Sequence, residues 1–251
     1  MSKKALVVGV ANDRSLAWGI AQKLHQDGVE LGFTYQGEAL ERRVRPLAGS
    51  VGATIVEQCD VASDASIAAV FSRVREAWGG LDILVHSVAF AQKEDLEGRF
   101  IDTSREGFRL ALDVSTYSLV ALARGAEPLM DSRGGGAIIT MSYLGSERVV
   151  PNYNVMGVAK AALEASVRYL ANDLGGKKIR VNAVSAGPVK TLAACGIKNF
   201  REMLAAQNEN TPLHEGITAG DVGAMGAFLC SDAARHITGT VVYVDSGAHI
   251  L

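Results

Sequence analysis

Two tyrosines and a lysine crowd into the stretch Ser142–Lys160, SYLGSERVVPNYNVMGVAK. Tyr153 and Lys160 are seven positions apart, about two turns at 3.6 residues per turn, so on a helix they share a face. The lysine can reach back toward the helix start and bring its ammonium near the phenol. A phenol with its ordinary pKa of about 10 is a poor acid at neutral pH, and a neighbouring cation lowers that value. Such a pair can act on a substrate oxygen beside a bound cofactor. A core tyrosine with a solvated lysine fits the same spacing, so these residues need a context to decide them.

A second set of residues has the chemistry to hold a dinucleotide. The first apolar run ends at Gly9, and GVANDRSLAWGIA follows. Its spacing is Gly9–x5–Ser15–x3–Gly19 in place of GxGxxG. Gly9 permits a tight exit from a strand; Ser15 can cap the next helix or bond a phosphate oxygen; the helix N-terminus offers free N–H groups and positive dipole. Gly19 allows close packing of helix on sheet. The second run ends TYQGEAL, where an acid reading the ribose stands in many NAD sites. Here Gln36 can bond ribose hydroxyls, and Glu38 would repel a 2′-phosphate, which favours NADH over NADPH. Arg42 and Arg43 come at least a helical turn later. The third run ends QCDVAS, where Asp60 can accept from the adenine amino group or cap a helix. The fourth ends VHSVAF, where small Ser87 and Ala89 let a cofactor lie against backbone.

These residues need elements to position them. Apolar, β-branched runs at Ala5–Val10, Glu30–Tyr35, Ala53–Gln58, Ile83–His86, Gly136–Met141, Ile179–Ala183 and Thr240–Val244 predict strands. Helical patterns lie between them, at about Ser15–Asp27, Glu38–Ala48, Asp64–Trp78, Ser104–Met130, Tyr153–Leu174, Asn199–Gln207 and Ala219–Cys230. Seven strands alternating with helices imply an α/β fold: a single doubly wound, Rossmann-like parallel sheet with helices on both faces. No Pro- or Ser-rich linker divides residues 1–251, so one domain is expected. Ligands on such sheets bind beyond the carboxyl ends of the strands, where strand order reverses. The residues singled out above all fall at such ends.

Composition fits this reading and narrows the partners. Of 251 residues, 48% are hydrophobic and 21% charged, enough for a large core. Net charge is −2 with no basic block, which argues against nucleic acid as a partner. No apolar run approaches the roughly 18 residues of a membrane span. The start, MSKKALVVGV, runs straight into a strand, so no signal peptide is expected. Cys59, Cys195 and Cys230 are odd in number and without a CxxC pair, pointing to packed, reduced thiols and a cytoplasmic location. The five histidines, at 25, 86, 214, 236 and 249, show no ligand spacing, and no metal is expected.

Taken together, Gly9…Gly19, Asp60, VHSVAF and Tyr153-x6-Lys160 resemble the short-chain dehydrogenase/reductase superfamily. The commonest branch carries TGxxxGxG, NNAG, and a serine 12 or 13 residues before the tyrosine. This chain has GVANDRSLAWG, HSVAF, and Thr140 or Met141 in that window, with Asp113 where an active-site asparagine usually stands. Instead SYLGSERVVPNYNVMGVAK, VNAVSAGPVKTLAACGIKNF and FLCSDAARHITGTVVYVDSG closely resemble the bacterial NADH-dependent enoyl-acyl-carrier-protein reductases, over nearly the whole chain.

That resemblance implies reduction of an enoyl thioester by NADH. Tyr153 would hydrogen-bond the thioester oxygen, Lys160 the nicotinamide ribose, and Tyr143 would line the substrate channel. Cofactor contacts are implied at Gly9, Ser15, Leu16, Gln36, Asp60, Val61, Ser87, Val88, Lys160, Val189, Lys190, Thr191, Leu192 and Ala193. The acyl channel would use Phe90, Ala91, Tyr143, Met156, Ile197 and Phe200, with residues 191–207 as a lid. Lys198 and Arg201 could meet an acidic acyl carrier protein, and the subunits would assemble as a homotetramer. Two alternatives stay open from sequence: a 3-oxoacyl or other carbonyl reductase of the same superfamily, and a non-catalytic nucleotide-sensing protein.

Overall fold

The apolar runs become the centre of the molecule. In the computed structural model, which describes residues 2–191, 204 and 209–251, they form seven strands. These are β1 (Lys4–Val8), β2 (Glu30–Tyr35), β3 (Ile55–Gln58), β4 (Ile83–His86), β5 (Gly136–Ser142), β6 (Ile179–Ala186) and β7 (Val241–Val244). They join one sheet in the order β3-β2-β1-β4-β5-β6-β7, with every neighbouring pair parallel. The order reverses between β1 and β4, and a crevice beyond those strand ends is where such a sheet takes ligands.

Eight helices are described: α1 (Leu16–Gln26), α2 (Gly37–Ser50), α3 (Asp64–Trp78), the short α4 (Lys93–Leu96), α5 (Arg105–Leu112), α6 (Ser118–Asp131), α7 (Asn154–Leu174) and α8 (Ala219–Cys230). Alternation along the strands divides the core in two. Leu6, Val8 and Leu84 face α3, α6 and α7, meeting Phe71, Leu122 and Leu163. Val7, Val85 and Ile139 face α1, α2 and α8, meeting Ile20, Val44 and Leu229. Burial of each large apolar side chain contributes roughly 1.5–3 kcal/mol. A one-residue slip of any central strand would exchange its two faces, so these sets of side chains also fix register. No helix of the described residues is long and apolar enough to cross a membrane.

Three differences from the sequence reading have physical causes. The stretch predicted as one helix at Ser104–Met130 is α5 and α6 joined by a π turn at Asp113–Tyr117. There the Ser118 hydroxyl donates to the Val114 carbonyl at 2.6 Å, and the Thr116 hydroxyl to the Ala159 carbonyl of α7 at 2.8 Å. Such hydroxyl contacts re-route the helical ladder by one residue, and π turns recur at functional sites. Gly19 serves helix–helix packing, not the helix–sheet packing expected: a Cβ there would lie 2.1 Å from the Ala219 carbonyl oxygen of α8. Gly223 answers it, its own Cβ position lying 2.4 Å from the Gly19 carbonyl. Finally, β6 runs three residues past its expected end, to Ala186. The predicted helix Asn199–Gln207 lies, but for Leu204, outside the described residues.

Candidate active site

The nucleotide side of the crevice is built from backbone. Gly9 leaves β1 with φ +112, a conformation L side chains rarely adopt, and its Cβ would lie 2.1 Å from the Ser87 carbonyl oxygen. The Ser87 amide donates to the Val8 carbonyl at 2.8 Å, so the ends of β1 and β4 touch at the switch point. Ser15 does not cap α1. Its hydroxyl accepts from the Ala11 and Asn12 amides, at 3.0 and 3.1 Å, and folds the loop. The first turn of α1 carries no acidic residue, so its positive dipole end faces the crevice uncompensated. Leu16, which starts that turn, packs on the core.

Further along the same edge, the two residues expected to read ribose and adenine are bonded to each other. Gln36 Nε2 donates to Asp60 Oδ1 at 3.1 Å, and the same oxygen accepts from the Ala62 amide at 3.1 Å. The capping role open to Asp60 falls to Ser63, whose side chain accepts from the Ser66 amide of α3. Arg42 is paired with Glu38 at 3.2 Å on the exposed face of α2. Val61 is buried beside Asp60, and Val88 packs on the core after β4. A strand end of glycine and serine beside a helix start with no acidic residue fits a dinucleotide, and the missing Cβ of Gly9 lets the ends of β1 and β4 close together there.

On the other side the site is built from side chains. Tyr143 follows β5 directly, and Tyr153 immediately precedes α7, one residue earlier than a helical tyrosine would sit. Asn152 and Asn154 flank Tyr153 with φ of 60° and 29°, a strained entry that asparagine tolerates better than most residues. The two phenol rings meet edge to face, centroids 5.0 Å apart at 70°. Gly145 allows this approach, since a Cβ there would lie 2.5 Å from the Tyr153 ring; Gly157 of α7 in turn admits the Gly145 carbonyl.

Lys160 is buried and its ammonium donates to the Met141 carbonyl at 2.8 Å. Burial lowers its pKa to about 8, with Glu164 partly opposing the shift. The expectation that a cation would lower the pKa of Tyr153 is overturned. Burial, and then the neighbouring Tyr143, push it up, and burial raises Tyr143 as well. Desolvation penalises the phenolate, and the Lys160 ammonium is bonded to the Met141 carbonyl. Both phenols are therefore neutral hydrogen-bond donors at physiological pH.

The hydroxyls near the window where a catalytic serine would stand are already engaged. Thr140 Oγ1 lies 2.7 Å from Nδ1 of His86, whose Nε2 lies 2.8 Å from Ser118 Oγ. Burial, and then Lys160, lower the His86 pKa to about 3, so this ring is neutral. Ser142 donates to the carboxylate of Glu164. This polar layer under the tyrosines was not read from sequence. Glu164 carried a usable signal, four residues after Lys160 and so on its face of the helix.

The remaining expected residues divide by position. Phe90 is half exposed after β4, its amide donating to Ser115 Oγ at 3.0 Å, and Ala91 follows it. Met156 is buried on the first turn of α7. Beyond β6, Val189 is partly buried and Lys190 exposed, while the Thr191 amide donates to the Val189 carbonyl at 2.7 Å. Leu192, Ala193, Ile197 and Phe200, with Lys198, Arg201 and most of the expected lid, lie outside the described residues. Cys59 and Cys230 are buried thiols, their pKa values raised by burial to about 11 and about 12.

Comparison with known proteins bears on the same stretch of chain. Residues 9–249 match a family model described as enoyl-(acyl carrier protein) reductase. The curated enoyl-[acyl-carrier-protein] reductase [NADH] of Aquifex aeolicus is 53% identical over 249 residues, 99% of this chain and 92% of that protein. A solved enoyl-(acyl-carrier-protein) reductase from Anaplasma phagocytophilum, in complex with NAD, is 50% identical. It has a TM-score of 0.95, over 99% of this chain and 94% of that one. A Bacillus cereus relative, solved with NADP+ and an indole naphthyridinone, is 51% identical with a TM-score of 0.97, over 100% of this chain and 99% of that one.

Proposed function

The chain belongs to the enoyl-(acyl carrier protein) reductase family, and we propose that it reduces the trans-2 double bond of enoyl thioesters carried on acyl carrier protein, using NADH, in the last step of fatty-acid elongation. NADH, when bound, supplies a hydride to the β carbon of the substrate. Negative charge then develops on the thioester oxygen, as an enolate that collapses when the α carbon takes a proton from Tyr153 or solvent, and catalysis requires a donor aimed at that oxygen. Tyr153 is that donor. Its raised pKa suits hydrogen bonding without loss of the proton. Tyr143, edge-on to it, closes the other side of the oxygen's pocket. Lys160 holds the ribose hydroxyls and contributes positive potential from beneath.

One observation carries this reading above carbonyl reduction. The two phenols stand together at the end of β5, while Thr140 and Ser142 are bonded away from them, to His86 and Glu164. The site thus offers a tyrosine pair where alcohol chemistry would use a tyrosine and a serine. Gly9, Ser15, Leu16, Gln36, Asp60, Val61, Ser87, Val88 and residues 189–191 line the NADH path. Glu38, close after Gln36, supports NADH over NADPH, because its carboxylate would repel a 2′-phosphate.

Of the residues expected at the acyl channel, Phe90, Ala91 and Met156 line it after β4 and on the first turn of α7. The protein works in the cytoplasm as a homotetramer; exposed Phe108, Tyr117 and Tyr169, on the rod from α5 to α6 and on α7, support an assembly through those helices. The test of function supplies NADH with crotonyl thioester or with acetoacetyl thioester. Consumption of NADH with crotonyl alone is expected. Turnover with acetoacetyl alone would make the protein a carbonyl reductase, and turnover with neither would favour a nucleotide sensor.

A further inference from the structure

Glu164 has no part in the chemistry above, yet it is a carboxylate buried on the catalytic helix, 7% exposed. A buried carboxylate is costly unless hydrogen bonds stabilise it. Its Oε1 accepts from Ser146 Oγ at 2.7 Å and from Ser142 Oγ. Those serines bracket Tyr143: Ser142 ends β5, and Ser146 ends the 3-10 turn Leu144–Ser146 that follows it. The Ser146 amide closes the same turn onto the Tyr143 carbonyl at 2.9 Å. One turn of α7 earlier, Lys160 grips the Met141 carbonyl. Successive turns of one helix thus hold successive residues of β5, and the carboxylate reaches both sides of Tyr143. Hydrogen bonds to an ionised acceptor are roughly twice as strong as neutral ones, which suits a clasp on a short surface turn.

We infer that Glu164 is a positioning residue for enoyl reduction, clasping Ser142 and Ser146 so that the segment between them holds Tyr143 against Tyr153. The inference rests on the reading of Tyr143 as a substrate-facing group. Without the clasp the turn keeps its sequence but not its anchor, and the edge-to-face geometry of the phenols loosens. Cofactor contacts at the opposite edge, from Gly9, Ser87 and the α1 terminus, are untouched, and Lys160 keeps its grip on the Met141 carbonyl wherever its ammonium is kept.

The experiment is a mutant cycle. Ser142→Ala/Ser146→Ala and, separately, Glu164→Gln are made in the wild-type and Tyr143→Phe backgrounds, and kcat and KM are measured with NADH and crotonyl thioester at a pH well below the Lys160 value of about 8, so that the ammonium survives loss of the Glu164 charge. In the wild-type background each is expected to lower kcat about tenfold with the KM for NADH changed less than about twofold. In the Tyr143→Phe background the same changes should lower kcat by less than about twofold, because a group that acts through Tyr143 cannot act without it. An undiminished kcat in the clasp variants, or an equal loss in both backgrounds, overturns the proposal. A Tyr143→Phe enzyme with full kcat overturns the reading of Tyr143 itself, and the clasp with it. Should the double serine variant not fold, Glu164→Gln in the two backgrounds makes the same comparison.

Discussion

The part of the sheet around β1 and the part around β5 face one crevice but build it from different atoms. Around β1 the walls are peptide groups: Gly9 against the Ser87 carbonyl, a loop folded by Ser15, the bare start of α1. Around β5 they are side chains held by other side chains: the Tyr143–Tyr153 pair, Lys160 on Met141, Glu164 on Ser142 and Ser146. A phosphate is recognised by amides and a dipole, which any chain can supply if nothing blocks approach. A developing enolate needs donors fixed before the charge appears, and fixing them takes a supporting layer. The first region should therefore fail when an atom is added, the second when one is removed.

Lys160 belongs to both regions, so its loss should erase the distinction. Lys160→Ala is expected to weaken NADH binding and turnover together, lowering kcat/KM by about a thousandfold or more, as measured by steady-state kinetics and fluorescence titration. An effect on only one of the two would assign the lysine to one region. Gly9→Ala tests the backbone wall alone. Its Cβ would collide with the Ser87 carbonyl at an unfavourable φ, and NADH affinity should fall about a hundredfold. Where that variant folds, Tyr143 and Tyr153 should keep their environment by near-ultraviolet dichroism.

Gly145→Ala is the counterpart across the crevice. It pushes the turn off the Tyr153 ring and should cost about tenfold in kcat with NADH affinity kept, since misplaced donors lose transition-state contacts and little else. The smallest effect concerns pH. With the Lys160 pKa lowered to about 8, activity should decline on an alkaline limb near that value as the ammonium is lost. Stability should move the other way. Between about 8 and the ordinary lysine value of 10.5 the unfolded chain binds the proton more readily, so the contribution of Lys160 to stability rises with pH. His86 adds a second window: below its ordinary 6.5 and down toward about 3, the unfolded chain gains a proton the folded ring refuses, and stability falls. Activity and thermal-unfolding profiles measured in the same buffers check both.

The contrast between regions also explains what sequence could reveal. The sheet was legible because parallel strands buried on both faces need unbroken apolar, β-branched runs, and the chain supplies seven. The β1–β4 crevice was legible too, because glycine and small residues at strand ends mark where backbone must be approached. The support of the tyrosines was hidden, since it depends on contacts between distant segments. At the π turn, Thr116 reaches the Ala159 carbonyl of α7, a partner that spacing does not name. The direction of the Tyr153 shift reversed for the same reason: sequence shows the neighbouring charge, and burial, which prevails, is set only on folding. Glu164 stood in view one turn beyond Lys160, but its serine partners appear only when β5 docks on α7.

The separation of binding from chemistry is tested most directly by Tyr153→Phe, which removes one hydroxyl and nothing else. NADH titration and crotonyl-thioester turnover should be measured on the same preparation. The account predicts an NADH Kd within about twofold of the unaltered protein and a kcat reduced about a hundredfold or more. An unchanged kcat, or a loss of NADH affinity matching the loss of turnover, would contradict it.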